Sequence, residues 1–138
     1  MTLVLAIGPD SALLEGVSQT LTAAGHRVVI ASAISDGVDA LNGARPLVAL
    51  VHCDDLLRGE GLGRLLLAQG GAMLAYHSDE SEAPTLPFRL KRATLAELSL
   101  PLERHRLLAL VQYVESRARA AGRDAADGDA DAPEADAR

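Results

Sequence analysis

The chain has 138 residues and a mass of 14.4 kDa, enough for one ordinary domain with little left for a second. Hydrophobic residues make up 49% and charged residues 23%, a globular balance that excludes a largely disordered chain. Net charge is −6, and the lone Cys53 excludes an internal disulfide framework or a multi-cysteine zinc site.

In chain order, Thr2 to Ile7 is an apolar run that reads as a first strand. It has no basic region before it, so it reads as core and not as a signal peptide, and a cytoplasmic setting is expected. Gly8-Pro9-Asp10-Ser11 combines turn residues with helix caps. Leu13, Leu14, Val17, Leu21 and Ala24 then recur at helical spacing, closed by Gly25. His26 to Ala31 predicts a second strand, and Ser35 caps a short helix with Val38 and Leu41 inward, ended by Asn42-Gly43. Leu47 to His52 is apolar throughout, as in a parallel strand covered on both faces. Leu62, Leu65, Leu66 and Leu67 predict a helix over Gly59 to Gln69, and Ala72 to Tyr76 a fourth strand. His77 to Pro87 is polar with two prolines, hence a loop; Phe88 to Leu95 is a shortened helix and Glu97 to Leu100 a fifth strand. Leu107, Leu108, Val111, Val114 and Ala118 mark a long last helix from beyond Pro101 to near Gly122.

Five alternations of strand and helix with short connections imply right-handed crossovers around one parallel sheet. The expected fold is therefore α/β: a three-layer, doubly wound, five-stranded parallel sheet of flavodoxin-like type, with the fourth helix short or irregular. It occupies residues 1–122. Residues 123–138 carry six acids and two bases in an Ala-, Asp- and Gly-rich run, and read as a disordered acidic tail. The body before it carries 11 bases and 13 acids. Neither part has the positive field of a nucleic-acid binder, and Tyr76, Phe88 and Tyr113 are too few to stack bases. No apolar run approaches the roughly 18 residues that would span a bilayer.

In such a sheet, ligands bind beyond the carboxyl ends of the strands. The residues at those ends are Gly8 to Ser11, Ser32 to Ser35, His52 to Asp55, Ala75 to Ser78, and Leu100 with Pro101. The order of elements, Ala23-Ala24-Gly25-His26-Arg27-Val28-Val29 closing the first helix, Pro46 before the third strand, and Leu100-Pro101-Leu102 leading into the last helix carry a likeness to a family. Over residues 1 to about 121 the chain resembles the receiver domains of two-component response regulators. The resemblance implies a phosphoryl-accepting aspartate at the end of the third strand and an acidic pair after the first that holds Mg²⁺. It also implies a hydroxyl residue ending the fourth strand and a lysine before the proline after the fifth. Anchored on Gly25, the acidic pair falls on Gly8 and Pro9, the acceptor on His52, the hydroxyl on Ala75 and the lysine on Leu100. Pro101 alone matches. Mg²⁺ needs hard oxygen ligands, and Asp10 by itself would hold it weakly. The departures imply a degenerate receiver, a pseudo-receiver, with no metal and no cofactor.

Asp54 offers an alternative. If strand alternation continues past His52, Asp54 faces the same way and would accept phosphate with Asp10 helping to hold Mg²⁺. Otherwise Asp54 and Asp55 cap the short Leu56 to Leu67 segment, as Asp commonly does at a helix N-terminus. His52 is a strand-end polar residue, Cys53 a small buried hydrophobe, and Gly59-Glu60-Gly61-Leu62-Gly63 a flexible loop and helix start with the wrong spacing for a dinucleotide site. Arg89-Leu90-Lys91-Arg92 lies beside the fifth strand and last helix, where Arg104 and Arg106 add charge. In the receiver layout that face meets partners, so a basic patch there predicts another signalling protein with an acidic surface. A homodimer through the last helix is compatible with Val111 and Val114. No nucleophile, base and orienting group fall together, so no enzyme is expected. The reading is an interaction or adaptor module in signalling that acts without phosphorylation. The alternatives are a receiver phosphorylated on Asp54 and a flavodoxin-like binder of a small ligand.

Overall fold

The computed structural model describes residues 2–79 and 84–131, with 123–131 described by their backbone alone. Five strands, β1 (Leu3–Ile7), β2 (Arg27–Ala31), β3 (Val48–His52), β4 (Ala72–Ser78) and β5 (Thr94–Leu100), form one parallel sheet in the order β2-β1-β3-β4-β5. The helices are α1 (Ser11–Ala23), α2 (Ile34–Leu41), α3 (Cys53–Arg58), α4 (Phe88–Ala93) and α5 (Arg104–Asp131). This is the doubly wound α/β fold that the alternation implied.

Period-two alternation sorts the sheet into two buried layers. Val4, Ala6, Val48, Leu50, Leu74, Tyr76, Leu98 and Leu100 join Leu14, Val17 and Leu21 of α1 and Leu107, Val111 and Val114 of α5. On the other face Leu5, Ile7, Ala49, Val51 and Ala75 meet Ile34 and Leu41 of α2, Cys53 and Leu56 of α3, and Leu90 of α4. Gly37 lets α2 lie close, because a Cβ there would come within 2.6 Å of Ile7 Cδ1.

α1 is bounded as its sequence directs. Asp10 caps it, Oδ1 accepting from Leu13 N at 3.1 Å, and Gly25 follows with φ +93°. α2 begins at Ile34 with no side-chain cap, one residue before the expected Ser35, so Ser35 sits in the first turn. Ile34 is one of the helix's buried anchors, which draws it into the helix.

The helix expected over Gly59 to Gln69 is absent. α3 instead starts where β3 ends and stops at Gly59 (φ +71°); Gly61 (φ +79°) then leads into a single 3₁₀ turn, Leu62–Arg64. Three glycines in five residues oppose an α-helix here, while Leu62, Leu65 and Leu67 still pack on the second layer from irregular backbone. At the other end of the chain, α5 continues to Asp131, past the Gly122 end expected. Its extension is rich in alanine, the strongest helix former, which lets a docked helix propagate. Residues 132–138 of the expected tail lie outside the described residues. Among the described residues no helix is long and apolar enough to cross a membrane.

Thr2 Oγ1 donates to Glu115 Oε2, tying the start of the sheet to α5, with His26 Nδ1 4.0 Å and Arg119 Nη2 3.5 Å from the same carboxylate. The Thr2 bond holds the Glu115 carboxyl below its ordinary value of 4.5, and nearby positive groups add to this. A carboxyl depressed in the folded state stabilises fully above 4.5, and that contribution is lost as pH falls through its lower folded value. Urea unfolding should therefore weaken more on acidification in the wild type than in Glu115→Gln. Equal slopes would rule the clamp out.

Candidate functional site

The carboxyl edge of the sheet gathers Gly8, Pro9 and Asp10 after β1, His52 at the end of β3, Tyr76 to Ser78 at the end of β4, and Leu100 with Pro101 after β5. Its centre is filled. The Tyr76 side chain, 1% exposed, lies across Gly8, where a Cβ would stand 1.7 Å from Tyr76 Oη and 3.0 Å from Cζ. Gly8 is glycine because the phenol occupies the space any side chain would need. The His52 ring meets the Tyr76 ring edge-on, with centroids 5.2 Å apart and planes at 85°. Tyr76 Oη is buried with no hydrogen-bond partner among the described residues. Burial above all, with the charges of Asp55 and Asp10 behind it, pushes the phenol's pKa well above its ordinary value.

Strand pairing explains why Tyr76 takes this place. β3 and β4 run in register with Val51 beside Ala75 and His52 beside Tyr76. Tyr76 and His52 thus share a side of the sheet. Ala75, the residue on which the hydroxyl position of the layout falls, lies in the opposite layer, and the neighbour of His52 in the register is Tyr76, a residue the sequence reading did not assign to the pocket. The signal available was that one of only three aromatic residues closes the apolar run Ala72 to Tyr76.

The carboxylates around the rim are engaged separately. Asp10 caps α1. Asp79 accepts from Ser99 Oγ and, through Oδ2, from Leu102 N at 2.9 Å, fastening the β5–α5 connection. Asp55 is buried and paired with Arg58. Asp54 is not on the strand. β3 ends at His52, so the alternation that would aim Asp54 beside His52 stops, and its side chain stands 62% exposed in the first turn of α3. The cap of that turn is His52 itself, whose Nδ1 accepts from Asp54 N at 3.2 Å. An accepting Nδ1 puts the ring's proton on Nε2. Pro9 is exposed, Leu100 is fully buried, and a cis peptide bond joins Leu100 to Pro101.

The set does not fit Mg²⁺. Gly8 and Pro9 carry no side-chain oxygen, and the Tyr76 ring fills the space above Gly8. Among the described residues, no three His, Cys, Asp or Glu side chains converge to hold a metal ion. Cys53 is buried, and burial foremost, then the charges of Glu97 and Asp54, raises its thiol to about 11. Such a thiol holds its proton and is a poor nucleophile.

The five bases expected to form one face are split. Arg89, Lys91 and Arg92 are exposed on α4. Arg104 lines a groove between α1 and α5 with Ala12, Gly16 and His105. Arg106 turns back onto β5, its Nη1 donating to Glu97 O and to Glu103 Oε2, both at 3.2 Å. Glu103 in turn accepts from Ser99 N at 2.7 Å, and that bond first, with Arg106 second, holds its carboxyl below the usual range. Glu103 and Arg106 thus fasten onto outward main-chain groups of the edge strand. What the sequence reading missed is Arg117, which sits over the exposed ring of Tyr113 at 5.4 Å, four residues back on α5. The signal was the i, i+4 spacing of an aromatic and an arginine.

Neither a protein-family model nor a curated protein matches the sequence. Solved structures match the fold. A response regulator receiver domain (CheY-like) from Methylobacillus flagellatus superposes with a TM-score of 0.67 at 13% identity, covering 83% of this chain and 98% of that one. One from Methanospirillum hungatei JF-1 gives 0.62 at 18% identity, covering 85% and 96%. The pseudo-receiver domain of the CikA protein gives 0.60 at 23% identity, covering 83% and 97%. At these identities the likeness establishes the fold, which is that of a response regulator receiver domain.

Proposed function

We propose that this chain is a pseudo-receiver: a receiver fold that acts without phosphorylation, as a cytoplasmic protein-interaction module in signalling with no enzymatic activity of its own. The observation that carries the reading is the phenol of Tyr76 lying where a side chain at Gly8 would be. A carboxylate becomes an adequate nucleophile toward phosphorus only when a metal neutralises the approaching oxygens. Here the metal's acidic pair is Gly8 and Pro9, the acceptor position is a histidine spent on capping α3, and the neighbouring strand end is an aromatic plug. A neighbour of the same fold is itself described as a pseudo-receiver, which supports the reading. The effect would then come from docking another signalling protein that presents an acidic surface.

The test is an amide NMR titration with Mg²⁺ and beryllofluoride, an acyl-phosphate mimic. The expected spectrum is well dispersed and unmoved at Gly8, Asp10, His52, Asp54 and Tyr76. Large shifts at those residues would show a working pocket and end the proposal in favour of a phosphorylated switch.

A further inference from the structure

At the amino-terminal edge of the sheet, on the α2 side, a hollow of about 150 Å³ opens between the end of α2 and the segment after the 3₁₀ turn. Val38 and Leu41 of α2 form one wall, Leu65 and Leu66 the other, and Arg45 and Arg64 stand at its exposed rim. The hollow follows from the glycines that deny this connection an α-helix. A regular helix would lay a continuous ridge against α2. Gly59 and Gly61, at φ +71° and +79°, instead turn the backbone into one 3₁₀ turn and then into extended chain at Leu65. Main-chain bonds hold both walls in place. Ala68 N donates to Pro46 O at 2.8 Å and Leu65 N to Leu62 O at 3.1 Å, while Ala44 N donates to Leu41 O at 3.0 Å. The site is formed before anything enters it, which lowers the cost of binding.

The lining selects its occupant. A water molecule between the leucines and Val38 would find few polar partners, and an apolar space of this size takes one benzene-sized ring or a short branched chain. At the rim, Arg64 Nη2 donates to Asp39 Oδ1 at 2.8 Å, which fixes the guanidinium and leaves its other N–H groups for a second acceptor. Arg45 is exposed and, among the described residues, has no carboxylate partner. Asp39 offsets one of the two positive charges, so the other is left for a single carboxylate. Larger partners fit less well. A nucleotide or a long acyl chain exceeds the volume, and a phosphate alone would leave the apolar walls uncovered. A docked protein needs roughly 800 Å² on each side. Of the side chains lining this hollow, Leu66 alone is a large exposed hydrophobe.

We infer that the hollow binds a small aromatic or branched-chain monocarboxylic acid from solution. Its hydrocarbon lies against Val38, Leu41, Leu65 and Leu66, and its carboxylate sits on Arg45 and Arg64. The site is at the opposite edge of the sheet from the filled pocket, and it neither needs nor alters the reading of the chain as an interaction module.

The test is an amide NMR titration of the full chain with benzoate and with isovalerate, against their neutral counterparts benzamide and isovaleramide. Saturable shifts are expected at Val38, Leu41, Arg45, Arg64, Leu65 and Leu66, with a dissociation constant of about 1 mM or below. The amides should bind at least about tenfold more weakly. Arg45→Gln and Arg64→Gln should each weaken benzoate by about fivefold or more. Val38→Phe, which adds a ring to one wall, should abolish binding. Arg104→Gln, on the α5 side of the sheet, should change nothing. Circular dichroism would verify each fold, and if Val38→Phe disturbs it the two exposed arginines still decide the matter. No saturable shift, shifts centred elsewhere, equal binding of acid and amide, undiminished binding in a folded Val38→Phe, or an equal loss in Arg104→Gln would overturn the assignment. So would a peptide ending in a leucine carboxylate that binds at least about tenfold tighter than isovalerate, because the hollow would then read the chain end of a partner. A phosphorylation pocket responsive to beryllofluoride would end the pseudo-receiver reading and leave the benzoate result standing. A silent pocket with no benzoate binding would end this inference alone.

Discussion

Truncating Tyr76 to alanine should cost about 3–5 kcal/mol of stability, whereas Tyr76→Phe should cost almost nothing. The ring is 1% exposed and packs with Leu74, Leu98 and Leu100 in the layer beneath α1 and α5. Removing it deletes the plug and leaves a cavity whose rim is backbone at Gly8 and the His52 ring, neither of which can readily collapse inward. The hydroxyl is a different matter. It is buried with no hydrogen-bond partner among the described residues, so it contributes desolvation without a compensating bond. Phenylalanine removes that burden and keeps the ring. Urea unfolding of both variants measures the difference. If Tyr76→Phe is destabilised by more than about 1 kcal/mol, the hydroxyl has a partner and the plug is a polar device.

How much of this was legible in the sequence depends on how local each feature is. Strand runs such as Val48–His52, the Asp10 cap and Gly25 closing α1 are written within a few residues, and the structure has them. The Gly59–Gln69 segment misleads because its leucines satisfy helical spacing while its glycines set the backbone otherwise, and the leucines reach the core by either path. α3 was legible only through Asp54 and Asp55, which stand in its first turn; its start directly after β3 and its histidine cap were not, because histidine is not a usual capping signal. The plug is less legible still. Whether Ala75 or Tyr76 stands beside His52 is fixed by the register of β3 on β4, a relation between segments 24 residues apart. Arg106 shows the same limit: its spacing from Glu103 is visible on a helix, but its bond to Glu97 O exists only once α5 lies against β5.

The strongest check on the plug is a coupling between two positions that are distant in the chain. Gly8→Ala introduces a Cβ 1.7 Å from Tyr76 Oη, an overlap relieved only by moving a fully packed ring or the end of β1. A loss of about 3 kcal/mol is expected in the wild type. In the Tyr76→Ala background the same methyl enters space already vacated, and its cost should fall to near zero. The cycle should therefore show a coupling of about 2–3 kcal/mol, at the upper end of what contacting residues display. An additive result would mean that Tyr76 does not sit over Gly8, and the main support for a phosphorylation-independent receiver would go with it. A coupled result means more than the absence of acidic ligands. Restoring a carboxylate at position 8 would not by itself reopen the site, because glycine and tyrosine have become each other's complement. The receiver fold would then have closed its pocket with core, leaving its outer faces to carry whatever signal it transmits.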